Sequence, residues 1–439
     1  MLRWLNRLSQ GMFVVVIGVV LLGGCSSDDE DIVNPEEPVN PPDDRVSTFQ
    51  AIQTYVFESS CANSACHAVP TVAGGLDLTD EVAYTNLVNV KPQNPTAAAE
   101  GMLRVQPNRP ENSFLLTKLM GPEHDEGQRM PRDGGKLHPD KIEAIRKWIA
   151  AGAPQKTVVD GIPDISNLID LPPETFSPPP LPRDGVQLHL PAFEIAPGTE
   201  KEVFYALRLP VDEDIFVNRI EIYYPEGSHH FILYQLTKAQ PLSTVRELDP
   251  NNPVHLLDGH EFIVGTQTAE TLYEFPEGVA LRFGHDTVYD MNSHFVNLSG
   301  TDPLQGEAYV NLYTIPKEQV EHVATSLFLP NFNIRVPPGE TRTTKLTWLT
   351  REPIHLFMLS SHMHRHGDNF QIMRLNGELL HESFAYDDPP TDLFNPPIRL
   401  EAGDGLTFQC THTNHDKDRP IVFGLTSEDE MCIALGYYF

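Results

Sequence analysis

Two proline-rich stretches with almost nothing to bury divide this chain before any of its elements are considered. Residues 26–44 (SSDDEDIVNPEEPVNPPDD) are acidic and Pro-rich, and residues 156–184 contain Pro172-Pro173 and Ser177-Pro-Pro-Pro-Leu-Pro182. The first reads as a disordered tether and the second as a linker of polyproline character. At roughly 100–200 residues per domain, the 439 residues hold two to four domains. A hydrophobic content of 40% is enough for real cores. Acidic residues number 61 against 31 basic ones, a net charge of -30. Such a surface repels phosphate backbones, so a nucleic-acid partner is excluded.

Arg3 and Arg7 flank a basic start, followed by the apolar run Met12–Leu22. That run is too short for a membrane-spanning helix, which needs about 20 apolar residues. It ends in Leu22-Gly23-Gly24-Cys25, which resembles a bacterial lipobox. The resemblance implies a signal peptide over 1–25, acylation of Cys25, and an exported protein held to the membrane by a lipid anchor. Ser26 after Cys25 is similar to the sorting signal for the outer membrane, at its periplasmic face or the cell surface. An ordinary signal peptide with a coincidental Cys is the competing reading. Export places the chain where disulfides persist.

The segment 45–155 opens on Cys61-Ala-Asn-Ser-Ala-Cys66-His67. A covalent c-type haem needs two thiols for its vinyl groups and an adjacent imidazole for the iron. The spacing here is C-x4-C-H, a rarer variant, and a Cys61–Cys66 disulfide beside an incidental His is the alternative. Near the other end, Arg129-Met130-Pro131 precedes a predicted helix over 140–149, with Pro139 in its first turn and Gly152 as its stop. Ile142, Ile145, Trp148 and Ile149 form one apolar stripe. Together with Gly74-Gly-Leu-Asp-Leu78, this resembles a class I cytochrome c over residues 47–154. The resemblance implies a small all-α domain with one covalently bound c-type haem on Cys61 and Cys66. His67 would be the proximal ligand and Met130 the distal one, with His124 or His138 as substitutes. A thioether ligand suits electron transfer, whereas a peroxidase-like protein would require an open sixth position.

From residue 185 onward short β-rich runs, such as Phe204–Leu209, Ile220–Tyr224 and Phe231–Leu236, are broken by Pro, Gly and Asp turns. The pattern predicts antiparallel β-sandwiches. His362 and His364 are two apart, share a strand face and can pinch one ion. His229 and His230 are adjacent, so both reach one metal only at a bulge or strand end. His294 stands alone, and any one of these residues is more often a satisfied polar side chain than a ligand.

In order, His229-His230-Phe-Ile-Leu-Tyr, His294-Phe, His362-x-His364, Cys410 and Glu430-Met431-Cys432 resemble the copper type II, ascorbate-dependent monooxygenases over about residues 190–439. The family includes the peptidylglycine α-hydroxylating and dopamine β-monooxygenases. The resemblance implies two jelly-roll-like sandwich subdomains, 185–320 and 321–439, and two copper ions per chain. His229, His230 and His294 would hold the electron-relay copper, and His362, His364 and Met431 the catalytic copper that meets dioxygen. It also implies a Cys410–Cys432 disulfide, and leaves His366 as a spare ligand. The Arg expected two residues before the His-x-His pair is Ser360, and the Asn and Tyr expected after Met-Cys are Ile433 and Leu435. The implied substrate is therefore a small organic molecule without a carboxylate anchor. The expected activity is haem-coupled hydroxylation of a C–H bond, with a periplasmic donor or an ascorbate-like reductant. A non-catalytic copper-binding or electron-carrier lipoprotein is the other expectation.

Overall fold

The computed structural model describes residues 45–439, apart from 65, 70, 123–125, 133–134, 173–174, 249–258, 298–301, 385, 387–388, 417 and 425–428. The lipobox with Cys25, the acidic tether and His124 lie outside the described residues. Val46–Phe439 form one compact unit. No helix among the described residues is long and apolar enough to cross a membrane.

The helical part begins at Thr48–Ile52, where the Ser47 hydroxyl accepts the Gln50 N–H at 3.2 Å, and continues through a π-turn into Glu58–Ser60. Its last helix is Pro139–Ala150. Pro139 occupies the first turn, where its missing N–H costs nothing, and Gly152 leaves the helix at a φ of +91°. Ile145, Trp148 and Ile149 are fully buried against Phe49, Ile52, Val56, Phe57 and Leu87, and Ile142 packs at the margin. His138 does not reach inward as a ligand: its Nδ1 accepts the Asp140 N–H at 3.1 Å and caps the helix.

The second proline-rich stretch is anchored over its first half. Val159, Ile162, Ile165 and Leu168 all pack on the helical core, with Ile165 buried. A spacing of three residues puts such side chains on one side of a three-per-turn extended chain, which explains how a segment rich in proline still supplies an apolar edge. Asp170 completes the attachment, accepting from Lys141 Nζ at 3.0 Å and from the His138 N–H at 2.9 Å.

The β part is two fused sandwiches. In the first, a sheet ordered Gly185–Ile195, Leu304–Ile315, Ile215–Tyr223, Val279–Phe283 and His322–Val323 faces one ordered Val245–Glu247, Glu200–Arg208, Val288–Val296, Ser228–Leu236 and His260–Thr266. In the second, Thr325–Pro330, Ile433–Tyr438, Ile354–His362 and Asp392–Leu400 face Thr341–Leu349, Gly405–Thr413, Gly367–Arg374 and Leu379–Ser383. Pairing is antiparallel except where His322–Val323 runs parallel to Val279–Phe283.

Phe357, Met358 and Tyr437 of the second sandwich belong to the core of the first. Phe275 meets both aromatic rings, and the Tyr437 hydroxyl donates to the Ile263 carbonyl at 2.6 Å. Cys410 and Cys432 are bonded as a disulfide with Cα atoms 5.9 Å apart, in the core of the second sandwich.

Phe408 is fully buried and stacked on Phe370 at 6.0 Å. Phe408→Ala should lower unfolding free energy by about 3–5 kcal/mol, read from denaturant melts followed by circular dichroism.

Candidate metal centres

The strand Ser228–Leu236 pairs with Val288–Val296 in a register that sets His230 directly opposite His294, with a bulge between Ser228 and His230. The bulge is the local break that adjacent histidines need to turn toward one point. The three rings of His229, His230 and His294 converge with centroids 5.1–5.7 Å apart. One ligand atom from each lies within 4.8 Å of the others.

What the other ring nitrogens do decides the chemistry. His230 Nε2–H donates to Asn292 Oδ1 at 3.2 Å with Glu202 Oε1 at 3.7 Å, while its Nδ1 is buried without a partner. His294 Nε2 meets Glu200 Oε1 at 2.5 Å. Glu200 and Glu202 come from the strand Glu200–Arg208, where Glu202 pairs in register with His294. A metal ligand held this way has its tautomer and orientation set by the carboxylate behind it. Burial, reinforced by His294, His230 and the Arg132 guanidinium, holds His229 well below the usual imidazole range. At His294 burial works in the same direction, but Glu200 and Glu202 outweigh it and raise the value.

The second set stands at the end of Ile354–His362, where His362 is paired with Ile433. The rings of His362 and His364 are 5.1 Å apart. His362 Nδ1–H donates to Gln267 Oε1 at 3.2 Å and His364 Nδ1–H to the Asp429 carbonyl at 3.0 Å. Both Nε2 atoms are left for a metal, and burial keeps both rings neutral.

Beneath them Glu430 is fully buried and accepts the backbone N–H groups of His364 at 3.0 Å, His366 at 2.7 Å and Met431 at 3.1 Å. His412 lies 3.3 Å from the same carboxylate. Burial alone would raise the pKa of Glu430, but His412, His364 and these donors bring it down to about 2.

In the helical part, His67 Nδ1–H donates to the Leu76 carbonyl at 3.1 Å, which fixes the tautomer of the ring. Leu76 follows the Gly74–Gly75 turn, where both residues take positive φ. The buried Arg104 guanidinium clamps that turn through the Gly74 and Gly75 carbonyls at 2.7 and 3.1 Å. Cys61 and Cys66 form no disulfide, and burial pushes Cys61 up to about 12. With two unbridged thiols, a tautomer-fixed imidazole and Met130 on one apolar-lined cavity, these residues fit a covalent haem.

One cavity of about 1310 Å³ joins all three sets: Cys61, Cys66, His67 and Met130, then His229 and His230, then His362, His364 and Met431. Among its lining residues are the apolar Phe262, stacked on Phe328 at 5.4 Å, Met358, Leu393, Ile433 and Leu435, together with the polar Gln267, Ser361 and Asp392. Ser360 also lines it and donates to the Pro390 carbonyl at 2.9 Å.

Glu200, Glu202, Asn292, Gln267 and the role of Glu430 are missed by sequence reading. Asn292 is two residues before His294 and hence on its face, which was a usable signal. The others depend on strand pairings between residues far apart in the chain.

Residues 339–439 match the profile of the C-terminal domain of copper type II ascorbate-dependent monooxygenase. DBH-like monooxygenase protein 2 of Mus musculus is 25% identical over 237 residues, covering 48% of this chain and 38% of that protein. The Homo sapiens protein of that designation is 23% identical over 243 residues, covering 50% and 48%. The chain thus spans less than half the length of the relatives it matches. The STIV MCP crystal structure superposes at a TM-score of 0.26 with 10% identity over 58% of this chain and 96% of the other, which bears on neither fold nor function.

His366 lies beside Glu430, and burial brings it from 6.5 down to about 4. The unfolded chain takes up that proton at the higher value, so stability is lost as pH falls from 6.5 toward about 4 and levels off below. Denaturant midpoints of metal-free protein should decline across that window, and less steeply in His366→Gln.

Proposed function

We propose that this chain is an exported, lipid-anchored copper monooxygenase whose helical part carries a c-type haem that feeds electrons to the copper sites. The observation that carries the reading is the cavity shared by the two histidine sets and the Cys61/Cys66/His67/Met130 group. The C-terminal profile match and the DBH-like relatives support the same reaction class. When bound, copper and haem iron supply one-electron redox chemistry with dioxygen, placing one oxygen atom in a substrate C–H bond and the other in water at the cost of two electrons.

His229, His230 and His294 would hold the first copper through three imidazoles, donors that tolerate both oxidation states. His362, His364 and Met431 would hold the second, where the thioether biases the site toward the reduced state that meets dioxygen. Glu200, Glu202 and Asn292 keep the ring protons of His230 and His294 on the outer nitrogens. Gln267 and the Asp429 carbonyl do so for the second. Glu430 fixes the backbone on both sides of that second site, so His364 and Met431 keep their approach.

Phe262, Phe328, Met358, Ile433 and Leu435 offer a substrate apolar contact and exclude water. Ser360 stands where a cation would be needed to hold a carboxylate. The substrate is accordingly a small, largely apolar molecule. His67 and Met130 would hold the haem iron, which would supply one-electron transfer.

Removing the charge behind a ligand should weaken the metal without unfolding the strand. Glu202→Gln is expected to lower copper affinity by about 10- to 100-fold, read by competitive chelation. The reaction itself is tested by reoxidation of the reduced haem by dioxygen, using matured, anchor-free protein with and without copper. Copper should accelerate reoxidation at least about tenfold, a difference of about 1.4 kcal/mol in barrier, and His362→Ala should abolish the gain with the haem spectrum intact. Copper that binds but leaves both reoxidation and ascorbate-driven oxygen uptake unchanged would turn the reading to a non-catalytic carrier.

A further inference from the structure

The loop that bears Met130 reaches across to the β part with three of its neighbours. Arg129 pairs with Glu226 at 3.4 Å, on the turn just before the strand that carries His229 and His230. Gln128 donates its side-chain amide to the Gln267 carbonyl at 3.4 Å. Arg132 donates to that same carbonyl at 2.8 Å and to the His229 carbonyl at 3.5 Å. Gln267 in turn accepts from His362 through its side chain. One guanidinium therefore grips the backbone of a residue in the first histidine set and of a residue that touches the second. The Met130 N–H is itself tied to the Lys118 carbonyl at 2.7 Å, so the loop is held from both sides.

Arginine is suited to this place for two reasons. One terminal nitrogen of its planar guanidinium fork holds two N–H donors in fixed directions and serves both carbonyls at once, and its charge is permanent. In a chain with a net charge of -30, a cation standing at the His229 backbone is a local exception. A fixed positive charge disfavours the more positive of two metal oxidation states, and its reach is greatest where water is excluded.

We propose that Arg132 is a positioning residue of the electron path, pinning the Met130 loop to both histidine sets and raising the reduction potential of the metal held by His229, His230 and His294. The proposal rests on the copper and haem reading above. It assigns to the helical part a second task besides carrying its own redox group, which is to tune the acceptor it faces.

The test uses the full matured chain loaded with haem and copper, and reads the potential of the first copper by redox titration followed by electron paramagnetic resonance. In Arg132→Gln that potential should fall by about 59 mV, the equivalent of a tenfold change in a one-electron equilibrium. Arg132→Lys, which restores the charge but not the fork, should bring the potential back. Hydrogen exchange of the amides in the Met130 loop should be faster in Arg132→Gln, whose shorter, uncharged side chain cannot hold both carbonyls. A first-site potential unmoved in Arg132→Gln overturns the proposal while leaving the copper reading intact. A potential that falls equally in Arg132→Lys overturns it too, by making the effect one of packing. Wild-type protein that takes up no copper at His229, His230 and His294 overturns the reading and the proposal together.

Discussion

Five of the histidines described above, His67, His230, His294, His362 and His364, share one constraint: an imidazole offers a single nitrogen inward when its other nitrogen is held by the protein. His230 and His294 rest on Asn292, Glu202 and Glu200; His362 and His364 rest on Gln267 and the Asp429 carbonyl; His67 rests on the Leu76 carbonyl. In the first set the outer partners engage Nε2, in the others Nδ1. The protein thus chooses, ring by ring, which atom is presented. Burial strengthens the choice by keeping His229, His362 and His364 uncharged, so that protons do not compete for the inward nitrogen.

The sandwiches supply the geometry for this. In the first, cross-strand pairing alone stacks Glu202 on His294 and His294 on His230 across three neighbouring strands. In the second, His364 and Met431 lie just past the end of the paired strands, where no ladder holds them. There Glu430 replaces the ladder, its carboxylate collecting three backbone N–H groups and facing His412. A buried carboxylate is tolerable only with such a full set of donors. The Cys410–Cys432 bond fastens the same corner from the core side. For a loop of 22 residues such a link contributes roughly 3 kcal/mol through the unfolded chain.

The regions that could be read in advance were those whose signal is local. The helix at Pro139–Ala150, its apolar stripe and its glycine stop all lie within one run of residues. The two-residue spacing of His362 and His364, and the requirement for a bulge at His229-His230, follow from strand geometry. What escaped was everything set by register between distant segments. Glu200 and Glu202 look like ordinary solvent-facing charges until pairing brings them behind the histidines. The proline-rich stretch concealed Val159, Ile162, Ile165 and Leu168 because their spacing of three matches neither helix nor strand. His138, weighed as a ligand, proved to be a cap, a role that depends on which way one ring turns at a helix start.

That half-docked stretch bears on how the two parts work together. A free linker would let the helical part search a volume, and each meeting with the β part would be an intramolecular collision at some effective concentration. With residues 159–168 laid along the helical core and the Met130 loop fastened to Glu226, His229 and Gln267, that search is largely over when folding ends. On the proposed reading, donor and acceptor would then be a single reactant, and their exchange would be first order, indifferent to dilution and to rival carriers in the surrounding fluid, with a rate settled by the fold rather than by encounter.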